Sequence, residues 1–284
     1  MIFSRPVPVM VLLLAILAIL GGCADQRRHL ALEVALGAHL TGAWIPAGST
    51  RLMSFSRIER PGGDLTVYIE GDGFAYATRD QISPDPTPRT PLVLRLVAQD
   101  PVDNVAYLAR PCMYGDPEHP LPGCQNAQRW TTGRFSEAVV SAMDHGLDVL
   151  KGNAQAAHLH LIGFSGGGAI AALLAARRTD VASLRTLAGN LDHVAFTRFH
   201  HVTPLTDSLN PVQIAPQLAH LPQIHFIGAD DPIIPAQVIA HFVTALGDGH
   251  CVQVVTVPGV THDDGWAAVW PRLSTRQPHC DGAH

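Results

Sequence analysis

The sequence predicts a single α/β domain, a mostly parallel central sheet flanked by helices. Three observations carry that expectation. Short β-branched runs alternate with helical patterns through the middle and end of the chain, which is the pattern of parallel strands joined by helical crossovers. The 284 residues are 47% hydrophobic and 15% charged, enough to bury a large core and unlike a disordered chain. No repeat and no low-complexity linker divides the chain beyond its first residues.

The elements follow in order. Residues 26–40 carry helical spacing (Leu30, Val34, Leu36, Leu40) and predict a leading helix or tether. A first strand is expected over 51–59, and Leu65 to Glu70 is a clearer one, stopped by Gly71-Asp72-Gly73. A proline-rich loop spans Ser83 to Pro91, followed by a helix over 90–99 and a strand from Val105 to Ala109. Phe135 to Leu150 is a helix, because Phe135, Val139, Ala142, Met143 and Leu147 share one face, and Gly152 follows as a stop. His158 to Gly163 is a strand, and an Ala/Leu helix runs from the next turn to about Arg178. Leu184 to Ala188 is the next strand, and 190–216 reads as irregular. Ile224 to Gly228, Ala236 to Leu246 and Val252 to Val257 read as strand, helix and strand, before a closing segment whose Trp266 and Trp270 are assigned to the core, as are Trp130 and Phe135.

The chemistry concentrates at the ends of these strands. Gly163-Phe164-Ser165-Gly166-Gly167 is a G-x-S-x-G sequence with an apolar strand before it and an Ala-rich helix after it. A sharp strand-to-helix turn strains the serine backbone, and flanking glycines keep side chains out of its way. The helix N-terminus beside the serine offers free N–H groups and a positive potential for developing negative charge. A serine hydroxyl needs a base, usually histidine, and the histidine needs a carboxylate to hold its tautomer. Two carboxylates, Asp230 and Asp231, follow the strand at 224–228, and His262 follows the last strand. Among 16 histidines, that position singles out His262. The bland readings are a packing turn at the serine, a helix cap at the aspartates and a loop histidine.

Together these motifs resemble the α/β-hydrolase superfamily of serine esterases, lipases and thioesterases, over roughly residues 50–275. The stretch Gly228-Ala229-Asp230-Asp231-Pro232-Ile233-Ile234-Pro235 resembles the family turn that carries the acid. The resemblance implies Ser165 as nucleophile, His262 as base and Asp231 as acid, with Asp230 the neighbouring alternative. It implies an oxyanion hole built from the backbone N–H of Gly166 and of Asp72 or Gly73. Many relatives carry His-Gly after the early strand, whereas this chain has Glu70-Gly71-Asp72-Gly73-Phe74 there. The substrate implied is a small-molecule or lipid ester, cleaved without a cofactor. The segment after residue 190 lies where lids insert, and Asn190, His200 and Asn210 are candidates to line the pocket.

The beginning of the chain concerns address rather than fold. Arg5, the apolar run Val7 to Leu20, and Leu20-Gly21-Gly22-Cys23 have the form of a secretory signal. They resemble the lipobox of bacterial lipoproteins, which implies lipid on Cys23, removal of residues 1–22 and a membrane contact through that lipid. Ala24 after the cysteine points, by the same resemblance, to the outer membrane, with the protein at the periplasmic face. The expected organisation is a signal over 1–22, a tether over 23–49 and the hydrolase domain over 50–284. Export places Cys112, Cys124, Cys251 and Cys280 in an oxidising compartment, where four cysteines permit three pairings. The local pair Cys112–Cys124 is favoured because it closes a Pro/Gly-rich loop, and Cys251 with Cys280 would then tie down the end of the chain.

A net charge of −5 and the absence of a basic run argue against a nucleic-acid partner. No cysteine pair has zinc spacing, and the carboxylates Glu70 and Asp72 with His158 and His160 do not form a ligand pattern, so no metal is expected. A second functional class remains on the sequence alone: an envelope lipoprotein that keeps the fold for binding without catalysis.

Overall fold

The computed structural model describes residues 26–115, 121–247 and 251–280; the lipidation candidate Cys23 and the signal over 1–22 lie outside the described residues. A helix over 26–37 (α1) is followed by β1 (Thr41–Ala47), β2 (Thr50–Ile58), β3 (Leu65–Ile69), α2 (Leu92–Gln99) and β4 (Asn104–Leu108). Then come α3 (Glu137–Ala154), β5 (Leu159–Phe164), α4 (Gly166–Ala175), β6 (Val181–Leu187), α5 (His193–His200) and α6 (Pro211–Ile214). The chain closes with β7 (Gln223–Gly228), α7 (Ala236–Ala245), β8 (Val252–Val257) and α8 (Trp266–Leu273).

The strands form one eight-stranded sheet in the order β1-β2-β4-β3-β5-β6-β7-β8. β1, β2 and β4 pair antiparallel, and every pair from β4–β3 to β7–β8 is parallel. The central strands read as continuous apolar runs because helices cover both faces. Val67 of β3 lies opposite Ala106 on one side and Leu161 on the other, all fully buried. One face carries α3 and α4, whose Val139, Met143, Leu147, Ile170 and Leu174 fill the larger core. The other carries α1, α2 and α8, where Trp266 and Trp270 are fully buried, as expected for core residues.

Three differences from the sequence reading have local causes. β1 was not expected, because Gly42 and Pro46 weaken its pattern; it exists through its hairpin with β2 at the sheet edge. The segment 190–216 is not irregular: it holds α5 and α6. Asp192 starts α5 by accepting from the N–H groups of Val194 and Ala195, and Asn210-Pro211 opens α6. The helix after Ser165 ends at Ala175, a few residues short of Arg178, whose guanidinium turns to Asp144, Asp148 and Asp180.

Both expected disulfides are present, Cys112–Cys124 and Cys251–Cys280. Among the described residues no helix is long and apolar enough to cross a membrane.

Candidate active site

The parallel strands all end at one edge of the sheet, so the loops after β3, β5, β7 and β8 meet there. Ser165 follows β5 directly and has φ 51° and ψ −120°, a strained region for a residue with a Cβ. Its N–H donates to Leu187 O at 2.9 Å, and its carbonyl accepts from Asn190 N–H at 2.9 Å. These bonds lock the turn against β6. Methyl groups added at Gly163 or Gly167 would strike the backbone of the turn and of the β3 end, so both glycines are required by close approach.

His262 Nε2 lies 3.0 Å from Ser165 Oγ, and His262 Nδ1 lies 2.9 Å from Asp231 Oδ2. The second oxygen of Asp231 accepts from the N–H groups of Ile233 and Ile234 at 2.7 and 3.0 Å. One carboxylate thus organises the turn and faces the imidazole. Burial pushes the Asp231 carboxyl upward, but the bonds from His262 and the two N–H groups outweigh it and hold the group below its ordinary range. Asp230, the alternative acid, is exposed and has no bond to His262. The imidazole packs on Phe164 with ring centroids 5.1 Å apart, and Trp266 Nε1–H donates to the His262 carbonyl at 2.9 Å. α8 therefore anchors the histidine loop.

The loop after β3 provides the remaining wall. Gly71 N–H donates to Glu70 Oε1 at 2.8 Å, and Phe74 N–H donates to Pro86 O at 2.9 Å. Asp72 N–H and Gly73 N–H have no hydrogen-bond partner among the described residues. The N–H of Gly166, first in α4, has no intrahelical acceptor. Gly73 has φ 61°, which favours glycine. Glu70 is fully buried and accepts from Tyr107 Oη at 2.9 Å, with Tyr114 Oη 3.1 Å from Tyr107 Oη. Burial pushes its carboxyl up to about 7, against the pull of Gly71 N–H, Tyr107 and Arg110.

Asp72 contacts two guanidiniums that sequence reasoning missed. Arg134 Nη1 donates to Oδ2 at 2.7 Å, and Arg110 Nη1 lies 3.4 Å from Oδ1. Burial raises the Asp72 carboxyl, yet the two cations outweigh it and hold the group below its ordinary range. Arg110 follows β4, and a cation at the carboxyl end of a buried strand was a readable signal. Arg134 carried no such signal, because it reaches Asp72 from 62 residues away.

The lining candidates separate. Asn190 braces Ser165 through its backbone, as above. His200 Nε2 donates to Ile233 O at 2.7 Å and ties α5 to the turn of Asp231. Asn210 lines a cavity of about 510 Å³ beside α5, together with His193, Thr197 and Leu205, and none of Ser165, Asp231 or His262 lines it. His160 bonds Ser183 Oγ at 2.7 Å, and among the described residues no cluster of three or more His, Cys, Asp or Glu side chains has metal-binding geometry.

No protein-family model matches the chain, and no curated protein sequence matches it. Solved structures do. An esterase of Pyrococcus furiosus aligns over 84% of this chain and 91% of its own, with TM-score 0.59 and 12% identity. Est1E from Butyrivibrio proteoclasticus aligns over 82% of this chain and 95% of its own, with TM-score 0.55 and 12% identity. A puromycin-hydrolyzing peptidase of Mycobacterium tuberculosis aligns over 84% of this chain and 38% of its own, with TM-score 0.58 and 15% identity. These likenesses define the architecture: the chain has the α/β-hydrolase fold.

Proposed function

We propose that this protein is a serine hydrolase that cleaves carboxylic esters or thioesters through an acyl-enzyme. The observation that carries the reading is the continuous hydrogen-bonded line from Ser165 Oγ through His262 to Asp231, joined to the strained backbone of Ser165. A binding module has no need for an imidazole aligned on a serine hydroxyl at the end of the last strand.

In this reading Ser165 Oγ attacks the ester carbonyl while His262 Nε2 takes its proton. Asp231 holds the Nδ1–H tautomer and stabilises the imidazolium. The N–H groups of Gly166 and of Asp72 or Gly73 receive the oxyanion. The tetrahedral intermediate collapses, His262 returns the proton to the departing alcohol or thiol, and the acyl group remains on Ser165. Water repeats the sequence with His262 as base and releases the acid. Every step uses groups of this chain.

The same reading places the enzyme outside the cytoplasm. The two disulfides support an oxidising compartment, and the Leu20-Gly21-Gly22-Cys23 sequence supports lipid on Cys23 at the periplasmic face of the outer membrane. Palmitate incorporation that disappears in Cys23→Ala tests the anchor.

The test of the chemistry is a fluorophosphonate probe with the adduct located by peptide mass spectrometry. Labelling at Ser165 that is lost in Ser165→Ala and His262→Ala is the expected result. A folded protein that takes no label rejects the hydrolase reading.

A further inference from the structure

The Asp72 carboxylate sits in an unusual place for an ion pair. A methyl group built on Gly166 would land on it, so the carboxylate fills the space above the first residue of α4. That is where the helix N-terminus is most positive and where the free N–H of Gly166 lies. An oxyanion formed on a Ser165 substrate would draw on the same potential. A bare carboxylate there competes with it.

Two cations answer that carboxylate. Arg134 binds Oδ2 at 2.7 Å and its Nε donates to Thr131 O at 2.7 Å, which holds the guanidinium plane. Arg110 lies on Oδ1, with its Nη2 donating to the Arg134 carbonyl. Its Nε is buried and has no partner among the described residues, and its guanidinium lies 5.5 Å over the Phe135 ring. Burying a second cation without a second anion bonded to it is costly. The disulfide Cys112–Cys124 closes the segment between the two arginines, and Trp130 Nε1–H donates to Ser83 O at 3.1 Å. The arrangement is therefore pinned from several elements and directed at one loop.

We propose that Asp72, Arg134 and Arg110 form a positioning clamp for the oxyanion hole. The carboxylate fixes the loop at 71–74 against α4, and the guanidiniums cancel its charge so that an oxyanion can form beside it. The inference rests on the serine-hydrolase reading. All three are positioning residues.

The experiment compares wild type, Arg134→Gln, Asp72→Asn, the double variant and Arg134→Lys. Hydrolysis of p-nitrophenyl acetate, the rate of fluorophosphonate labelling and thermal melting are measured for each. Arg134→Gln is expected to lose about tenfold or more in kcat and in labelling rate, with KM within about threefold, because it removes the closer of the two cations and leaves the carboxylate only Arg110, at 3.4 Å. Asp72→Asn/Arg134→Gln is expected to recover at least about threefold over Arg134→Gln, because the opposing charge is gone. A merely structural ion pair gives no such recovery, so a double variant no faster than Arg134→Gln overturns the proposal, as does Arg134→Gln at the wild-type rate. If Arg134→Gln does not fold, Arg134→Lys decides: it keeps the charge and should stay within about threefold of wild type, and a folded Arg134→Lys with a loss of about tenfold overturns charge cancellation. A folded wild type that takes no label rejects the hydrolase reading and the clamp together, whereas a labelled wild type with unaffected variants rejects the clamp alone.

Discussion

Glu70→Gln should remove a pH dependence from the stability of the fold. Glu70 is fully buried under the loop at 71–74, and burial pushes its carboxyl from an ordinary 4.5 up to about 7. The folded protein therefore keeps this proton up to near neutrality, while the unfolded chain releases it near 4.5. Between those values the folded state binds more protons, so stability falls as pH rises. The contribution is fully present below about 4.5 and fully lost above about 7. At 1.36 kcal/mol per pH unit, that interval is worth about 3 kcal/mol. Glutamine preserves the shape and can still accept from Gly71 N–H, but it has no charge to bury. The assay is urea unfolding of wild type and Glu70→Gln, disulfides intact, from pH 4.5 to 8.5. Subtracting the two curves cancels every other titrating group and any fixed offset from the Tyr107 contact. The difference should move in favour of Glu70→Gln by about 3 kcal/mol across the range. A difference that stays constant, or that moves the other way, refutes the burial argument.

His225 should act at the opposite end of the scale. It is buried between Thr186 Oγ1 at 2.8 Å and Gln223 Oε1 at 3.2 Å, and burial pushes its imidazole down to about 3. The unfolded chain then takes the proton first as pH falls, so stability is full above about 6.5 and is lost toward 3. His225→Gln should flatten the acid limb by roughly 3 kcal/mol at pH 4.5, read from urea midpoints at pH 7 and 4.5. Asp231→Asn should lower kcat by about 10²-fold to 10⁴-fold and Asp230→Asn by less than about twofold, measured on p-nitrophenyl acetate; equal effects would mean that the wrong carboxylate has been assigned. Replacing Cys112 and Cys124 by serine should lower unfolding free energy by about 3 kcal/mol, and it should slow labelling at Ser165, because the bridge supports the segment leading to Arg134. An unchanged melting temperature would count against a stabilising role for that bridge.

The parts of the candidate site that were legible in the sequence are those set by strand ends. Ser165 is readable because strand, glycine turn and helix are contiguous. Asp231 and His262 are readable because each follows a β-branched run whose end lies at the same edge of a parallel sheet. β1 was not readable, since an edge strand with Gly42 and Pro46 owes its form to its hairpin partner. α5 has a weak apolar pattern, and its start depends on the Asp192 side chain, which also bonds Asn210 Nδ2 at 2.9 Å and His241 Nδ1 at 2.9 Å. Those partners come from distant elements. Arg134 is the clearest case: nothing near it in sequence predicts a carboxylate, because the contact is created by packing.

The loop after β3 shows how environment, not residue type, assigns charge. Glu70 and Asp72 are the same chemical group two residues apart. Glu70 has a backbone N–H and a tyrosine hydroxyl as hydrogen-bond donors, so desolvation wins and its proton is held to near neutrality. Asp72 has two guanidiniums, so their attraction wins and it stays ionised. With both arginines charged, these four side chains carry a surplus of one positive charge below about pH 7 and none above it, once Glu70 ionises. Nothing in the loop at 70–74 supplies an imidazole to this balance. Here it is set by a buried acid and a clamped one, and both lie within three residues of the loop N–H groups, those of Asp72 and Gly73, proposed to meet the oxyanion.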